Sequence, residues 1–192
     1  YEKYKNEDDI CGFSFLRGKS RGGYLSTSGV PEDGMKESFV ECRINRNIGG
    51  DMAEVWYTHC LREYPFPEFL GEKFLGEDIV WVQMSKKYKM RFFNKVIYIS
   101  DYLDEGLTNN RRKHNISSPN GCVARAKTFL ESDSILKAKI KAALQYQIYG
   151  RFAAHSLKKL FENTNSKLLY ILCFIPSQVL YYKWKNKYQE NI

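Results

Sequence analysis

The most strand-like part of the chain, residues 90–100, constrains its fold more than any other feature. This segment reads MRFFNKVIYIS and holds β-branched and aromatic residues in one run near its end. Such runs are typical of strands in a sheet. An amphipathic helix is predicted directly before it, over residues 77–88, with Val80, Met84 and Tyr88 one turn apart. A helix that leads into a strand predicts an α/β fold.

The first ninety residues add further strands. Residues 10–16 form a short apolar run between acidic residues and Arg17-Gly18, which predicts a buried strand. Residues 19–33 are rich in Gly, Ser and Pro and predict a loop. Residues 38–44 fit either a helix or a strand, and residues 52–64 predict a strand that runs into a short helix. We therefore predict that residues 1–118 form a mixed sheet with flanking helices.

Helices dominate the predictions for the rest of the chain, residues 119–192. A polar, basic loop over residues 109–115 precedes a helix that begins at Pro119 and ends near Glu131. Ser134 is a candidate N-cap for a longer helix, in which apolar residues recur every four positions from Leu136. Residues 168–182 are mostly apolar but are interrupted by Pro176, and they are too short for a confident transmembrane span.

Charge is distributed unevenly along the chain. Residues 134–192 contain ten basic and two acidic residues, which accounts for the whole net charge of +8. A neutral body with a basic tail indicates an anionic partner, such as a membrane surface, or simply a solvated basic face. Tyr181, Tyr182 and Trp184 alternate with lysines, as in an interfacial helix, although packing against the body is equally compatible with this pattern. No nucleic-acid-binding motif is recognisable, so nucleic acid is not an expected partner.

The five cysteines are scattered, at positions 11, 42, 60, 122 and 173, and no C-x-x-C pair occurs. This spacing argues against a zinc ribbon or a redox pair. Each cysteine has apolar or aromatic neighbours, which predicts buried free thiols. We therefore expect a reducing, cytoplasmic location.

Two adjacent carboxylates, Glu77 and Asp78, stand where the helix of residues 77–88 should begin. Acidic residues in a first turn commonly cap backbone N–H groups and interact favourably with the helix dipole. The same position also suits a catalytic base, because an ionised carboxylate is required to accept a proton. Spacing alone leaves both interpretations open.

Four segments together resemble the acceptor-side half of bacterial family 2 glycosyltransferases, which have the GT-A fold. Residues 12–18 (GFSFLRG) are similar to the strand that follows the family's metal-binding segment, and residues 50–57 (GDMAEVWY) to its acceptor-side strand. Residues 64–81 (YPFPEFLGEKFLGEDIVW) resemble the family's Phe/Pro turn followed by Glu-Asp at a helix start. Residues 94–108 (NKVIYISDYLDEGLT) resemble the strand and loop that close over the nucleotide. The resemblance covers about half of the chain.

This resemblance implies roles for individual residues. Asp78, or failing that Glu77, would deprotonate an acceptor hydroxyl that then displaces the leaving group of a nucleotide-activated sugar with inversion. Trp81 would line the acceptor pocket, although a helical Trp is also a common core residue.

Other site residues follow from the same resemblance. Gly50 and Asp51 would shape the acceptor entrance, unless they form a plain turn. Arg111 and Arg112 would approach the diphosphate, and His114 is a weak candidate metal ligand. A solvated basic turn is the alternative for these last three residues.

The family's nucleotide-binding strands and its Asp-x-Asp motif, which binds Mg²⁺ or Mn²⁺, precede the segment that matches Phe13. None of them occurs in this sequence, so we expect a fragment that is inactive alone. The expected fold is a partial GT-A-like mixed sheet over residues 1–118, followed by a basic helical region over residues 119–192. The parent protein would be a hexosyltransferase of cell-surface polysaccharide or glycolipid synthesis.

The expected partners are a nucleotide-sugar donor, a saccharide or lipid-linked acceptor, and the inner face of the cytoplasmic membrane. Two alternatives remain open at this point. The first is a non-catalytic basic module that binds an anionic membrane or another anionic partner. The second is a structural helical domain that mediates interactions.

Overall fold

A computed structural model describes residues 2–4, 7–25, 29–102 and 110–189. The chain divides into two compact units. We call Tyr1–Pro65 with Val80–Tyr102 the sheet unit, and Phe66–Ile79 with Leu103–Ile192 the helical unit. This division does not follow the predicted one at residues 118 and 119, because residues 66–79 bond to the helices that come later in the sequence.

A four-stranded mixed sheet forms the centre of the sheet unit. Its strands are β1 (Ile10–Gly18), β2 (Met35–Glu37), β3 (Met52–Trp56) and β4 (Lys89–Ile99). Their spatial order is β2-β4-β1-β3. β1 runs parallel to β4 and antiparallel to β3, and β2 runs antiparallel to β4. The strands predicted over residues 10–16, 52–57 and 90–100 are confirmed.

β1 is the best-buried strand of this sheet. Its residues from Ile10 to Ser14 are all buried, which explains why the strand reads as a continuous apolar run and does not alternate with polar residues. Gly12 allows β3 to approach closely, since a Cβ at this position would lie 2.2 Å from the Val55 carbonyl oxygen. On β4, Met90 and Phe92 are buried.

Short helices flank the sheet. A π-helical segment spans Val40–Asn45, which settles the ambiguity at residues 38–44, and α1 spans Thr58–Glu63 as predicted. The helix predicted over residues 77–88 is shorter than expected: α2 spans only Asp78–Met84. A turn follows it, in which Ser85 Oγ donates to the Trp81 carbonyl oxygen at 2.8 Å.

Six helices make up most of the helical unit. They are α3 (Arg111–Ser117), α4 (Pro119–Leu130), α5 (Leu136–Phe152), α6 (Leu157–Glu162), α7 (Lys167–Leu172) and α8 (Phe174–Gln189). α5 packs against both α4 and α8. Its buried Gln147 donates to the Tyr170 carbonyl oxygen at 3.0 Å and accepts from Ser177 Oγ at 3.1 Å. Buried polar groups are therefore paired where these helices meet.

Several predictions for the helical unit were wrong in detail. Residues 111–117 form α3 and not a loop. Ile135 and not Ser134 occupies the N-cap position of α5, and Ser134 is buried with its hydroxyl donating to the Phe129 carbonyl oxygen. The apolar segment of residues 168–182 is interrupted at Cys173, and Pro176 lies in the first turn of α8, where a proline is tolerated.

All five cysteines are buried and free, as predicted. Burial raises the pKa of Cys11, Cys42 and Cys122 to about 12. In the described part of the chain, no helix combines the length and the apolar character needed to cross a bilayer.

Candidate functional site

Asp78 is the first residue of α2, and its carboxylate forms an ion pair with Arg125 of α4. Both carboxylate oxygens accept, one from Nε and the other from Nη2 of the guanidinium group. The side chains are only 18% exposed for Arg125 and 23% for Asp78. Burial lowers the pKa of Arg125, but the charge and hydrogen bonds of Asp78 outweigh this effect and raise it. The orientation of the Asp78 carboxylate is therefore fixed from outside its own helix.

The segment before Asp78 is anchored to the start of α4. Glu72 accepts three hydrogen bonds there, from Asn120 N at 2.7 Å, Asn120 Nδ2 at 2.9 Å and Gly121 N at 2.8 Å. Phe74 N donates to Ser118 Oγ at 3.1 Å. A carboxylate at a helix N-terminus satisfies free N–H groups and the dipole. Residues 67–75 of this segment line an open cavity of about 590 Å³.

Glu77 differs from its neighbour. It lies in the turn just before α2, and its side chain is exposed, whereas the Asp78 carboxylate is mostly buried against Arg125. Of the two candidate bases, Asp78 is thus mostly buried and Glu77 is exposed.

Further cations of the helical unit lie on α3 and α5. Arg111 and Arg112 lie on α3, and the Arg112 guanidinium stacks 3.7 Å from the ring centre of Trp184. Burial lowers the pKa of Lys141, and the charges of Arg125 and Arg111 lower it further. Burial is the larger cause of this lowered pKa, and the charge of Asp78 acts in the opposite direction.

His114 was the candidate metal ligand. It lies on α3, with its ring centre 6.0 Å from that of Phe74. Among the described residues, no group of three or more His, Cys, Asp or Glu side chains is arranged to hold a metal ion. The Mg²⁺ or Mn²⁺ that the resemblance implies stays a prediction.

Asp51 belongs to a polar cluster in the sheet unit. It follows Gly50, whose φ of +83° favours glycine, and directly precedes β3. Asp51 Oδ2 accepts from Tyr102 Oη at 2.6 Å and from Arg17 Nη1 at 3.5 Å. Arg17 Nη2 also donates to Ser100 Oγ at 2.6 Å. The sequence analysis assigned no role to the Arg17, Ser100 and Tyr102 side chains.

A sequence signal for these missed residues does exist. Arg17 stands near the end of β1 and Ser100 just after β4. Because β1 and β4 are parallel, their carboxyl ends lie at the same edge of the sheet, which is where open α/β sheets commonly bind ligands. Recognising the parallel pairing would therefore have brought Arg17 and Ser100 together.

Trp81 is a buried residue of the sheet unit, only 8% exposed. Its ring stacks on that of Trp56, with centres 4.1 Å apart and planes inclined by 19°. One face of the indole is therefore covered by protein. This environment matches the core alternative for Trp81, and its role in lining an acceptor pocket stays a prediction.

The predicted site residues thus fall into two groups. Glu77, Asp78, Arg111, Arg112 and His114 belong to the helical unit, and Gly50, Asp51 and Trp81 to the sheet unit. Residues 103–108, which end the segment resembling the nucleotide-closing loop, lie outside the described residues.

A scan against protein-family models finds no matching family, and searches of curated proteins and of solved structures find no significant match.

Proposed function

We propose that this chain is the acceptor-side part of an inverting family 2 glycosyltransferase with a GT-A fold. The reaction transfers a sugar from a nucleotide-sugar donor to a hydroxyl acceptor during the synthesis of cell-surface polysaccharide or glycolipid. The Asp78 carboxylate carries this proposal, because it begins α2 and is oriented by Arg125. It occupies the position at which the resemblance puts the base. The mixed α/β sheet, with parallel β1 and β4, supports the fold assignment.

In the proposed mechanism, Asp78 is the general base. An ionised carboxylate offers about four acceptor positions, and Arg125 uses two of them. The acceptor hydroxyl donates its proton to one of the remaining positions while its oxygen attacks the anomeric carbon. The bond from this carbon to the donor phosphate oxygen breaks, and the nucleoside diphosphate leaves with the bonding electrons. Attack opposite to the leaving group inverts the anomeric centre.

Positive charge has a separate role in the proposal. The leaving diphosphate gains negative charge as the bond breaks, and Arg111 and Arg112 are the proposed groups that stabilise it. The resemblance assigns Mg²⁺ or Mn²⁺ to an Asp-x-Asp motif that these 192 residues do not contain.

The test uses the full-length protein encoded by the gene. Nucleoside diphosphate release is measured from UDP-glucose, UDP-galactose, UDP-N-acetylglucosamine and GDP-mannose, with membrane extract as the source of acceptor. Asp78→Asn should lower kcat by about 10²–10⁴-fold with little change in the KM of the donor, because the amide cannot accept the proton of the acceptor hydroxyl. Glu77→Gln should retain most of the activity, and so should Glu162→Gln, a control at an exposed residue of α6.

The outcomes separate the two carboxylates. A loss with Glu77→Gln alone transfers the role of base to Glu77. If both variants transfer sugar normally, neither carboxylate is the base and the proposal is contradicted. Because Asp78→Asn also weakens the contact with Arg125, a thermal melt of each variant must show that it is folded at the assay temperature.

A further inference from the structure

The last two helices carry a stripe of large apolar side chains that project into solvent. Six residues on α7 and α8 form this stripe, and each is between 55 and 74% exposed. Its members are Leu168, Ile171, Leu172, Ile175, Val179 and Tyr182. They are three or four residues apart, apart from one adjacent pair, so they follow one face of each helix. A contiguous exposed apolar patch of this kind commonly marks an interaction site.

The stripe on α8 lies opposite the face that holds the helix in place. At about 100° per residue, Ile175, Val179 and Tyr182 fall within an arc of about 60°. Ser177 and Tyr181 are buried on the far side of the helix. Trp184 also faces inward, with its ring centre 6.0 Å from that of Tyr149. Tyr181 is therefore buried and Trp184 partly buried, as the alternative of packing against the body predicts, and α8 retains a second apolar face.

Lysines border this second face. Lys183 and Lys185 lie about 80° to either side of the stripe on α8, and both are exposed. Lys187 is also exposed, and Lys167 begins α7. The sequence from residue 163 to residue 189 contains no acidic residue. The stripe is therefore an apolar band with positive charge along its edges.

We propose that α7 and α8 dock this protein in the plane of an anionic phospholipid membrane. The apolar side chains of the stripe enter the boundary between headgroups and acyl chains, and the bordering lysines extend to the lipid phosphates. The Tyr182 ring lies at the level of the headgroups. Charge selects this partner, since a surface that offers apolar chains beneath a layer of negative charge complements an apolar band edged by cations. The inference does not depend on the proposed glycosyltransferase activity.

Co-sedimentation with vesicles tests the docking surface. The vesicles contain phosphatidylcholine with about one third phosphatidylglycerol, and pure phosphatidylcholine vesicles serve as the neutral reference. The double variant Ile175→Ser, Val179→Ser should bind the anionic vesicles at least about tenfold more weakly than the unmodified protein. Ile99→Ser is the matched control, because Ile99 is 64% exposed but lies on β4. Its binding should be unchanged.

The lysines are tested separately. Lys183→Gln, Lys185→Gln should weaken binding to anionic vesicles by about fivefold per lysine, and high salt should reduce this difference. Binding to neutral vesicles should be weak and insensitive to these substitutions.

Three results would overturn the proposal. The first is absence of binding to anionic vesicles. The second is equal loss of binding with Ile99→Ser and with the Ile175, Val179 double variant. The third is a dimer in sedimentation that the double variant abolishes, together with no vesicle binding, because the stripe would then pair with a second copy of the chain. Circular dichroism of each variant excludes unfolding as the cause of any loss.

Discussion

The sheet unit and the helical unit hold their candidate site residues by different forces. In the sheet unit, Trp81 is fixed by burial and by the stacked ring of Trp56. In the helical unit, Asp78 is fixed by a guanidinium group and Glu72 by three N–H donors. Apolar packing depends on the area and volume removed from water, whereas these polar contacts depend on charge. Substitutions in the sheet unit should therefore lower stability by leaving cavities, whereas those in the helical unit should lower it by leaving charges unpaired.

The surfaces of the units differ as well. Several cations of the sheet unit face carboxylates, as in the Lys36–Glu7, Arg46–Glu37 and Lys87–Glu63 pairs. The helical unit carries most of its cations in residues 134–189, where Glu162 is the single acidic residue. Its positive charge is thus less well neutralised. This excess of positive charge is the reason for proposing an anionic partner for the helical unit.

The largest expected effect on stability is in the sheet unit. Trp81→Ala should lower the free energy of unfolding by about 3–5 kcal/mol, because it leaves a cavity beside Trp56. Trp81→Phe keeps an aromatic pair and should cost about 1 kcal/mol. Urea unfolding measures both values, and neither should change much with salt.

Assays of sugar transfer by the same variants show whether Trp81 also contacts the acceptor. If Trp81→Phe raises the KM of the acceptor while stability is nearly unchanged, the exposed part of Trp81 contacts the acceptor. If Trp81→Ala is as stable as the unmodified protein, Trp81 is not a core residue, and the contrast drawn between the units fails.

An intermediate effect is expected in the helical unit. Arg125→Met removes the partner of a mostly buried carboxylate and should lower the free energy of unfolding by about 2–3 kcal/mol. Lys127→Met is the matched control on the same helix, because Lys127 forms only a partly exposed pair with Glu131 at 3.9 Å. Loss of such a pair should cost about 0.3 kcal/mol. Urea unfolding again provides the measurement.

A second substitution shows whether the unpaired charge of Asp78 causes the loss of stability in Arg125→Met. Adding Asp78→Leu to Arg125→Met removes the unpaired carboxylate and should restore part of the lost stability. If Arg125→Met costs no more than Lys127→Met, or the double variant is worse than the sum of its parts, the ion pair does not hold Asp78.

Much of the sheet could be predicted because each strand is indicated by residues within its own segment. The strand at residues 90–100 and the strand that leads into α1 carry β-branched and aromatic runs that identify them without any partner. α3 was missed because its residues, RRKHNIS, form no apolar stripe, and among them only Ile116 is buried. Distant contacts hold that helix, including Asn115 Nδ2 to Tyr149 Oη at 3.1 Å. No local pattern encodes such a contact.

The candidate site shows the same limit. The acidic pair at residues 77 and 78 could be found from the sequence, because it stands at a helix start. Its partner Arg125 could not be found, since the pair spans 47 positions and one sequence contains no record of spatial proximity. The same holds for Arg17 and Asp51. The sequence left Trp184 open between an interface and packing against the body, because periodicity alone does not say which of two apolar faces is buried.

The smallest expected effect compares buried thiols in the two units. Burial raises the pKa of Cys42 in the sheet unit and of Cys122 in the helical unit to about 12, from an ordinary value of 9.0. Between about pH 9 and pH 12, each of these thiols keeps its proton in the native protein and loses it in the unfolded chain. Each thiol therefore stabilises the fold fully below about pH 9, and this contribution falls by about 1.4 kcal/mol per pH unit above it.

Urea unfolding at about pH 8, 9 and 10 tests this linkage. Above pH 9 the free energy of unfolding should decline less steeply in Cys42→Ala and in Cys122→Ala. Each slope should be smaller by about 1.4 kcal/mol per pH unit, which corresponds to one proton. The slope is the informative quantity, because the cavity left by each substitution lowers stability equally at every pH. A shallower slope for Cys42→Ala alone would mean that Cys122 ionises in the native helical unit. Burial would then raise the thiol pKa at Cys42 in the sheet unit but not at Cys122 in the helical unit.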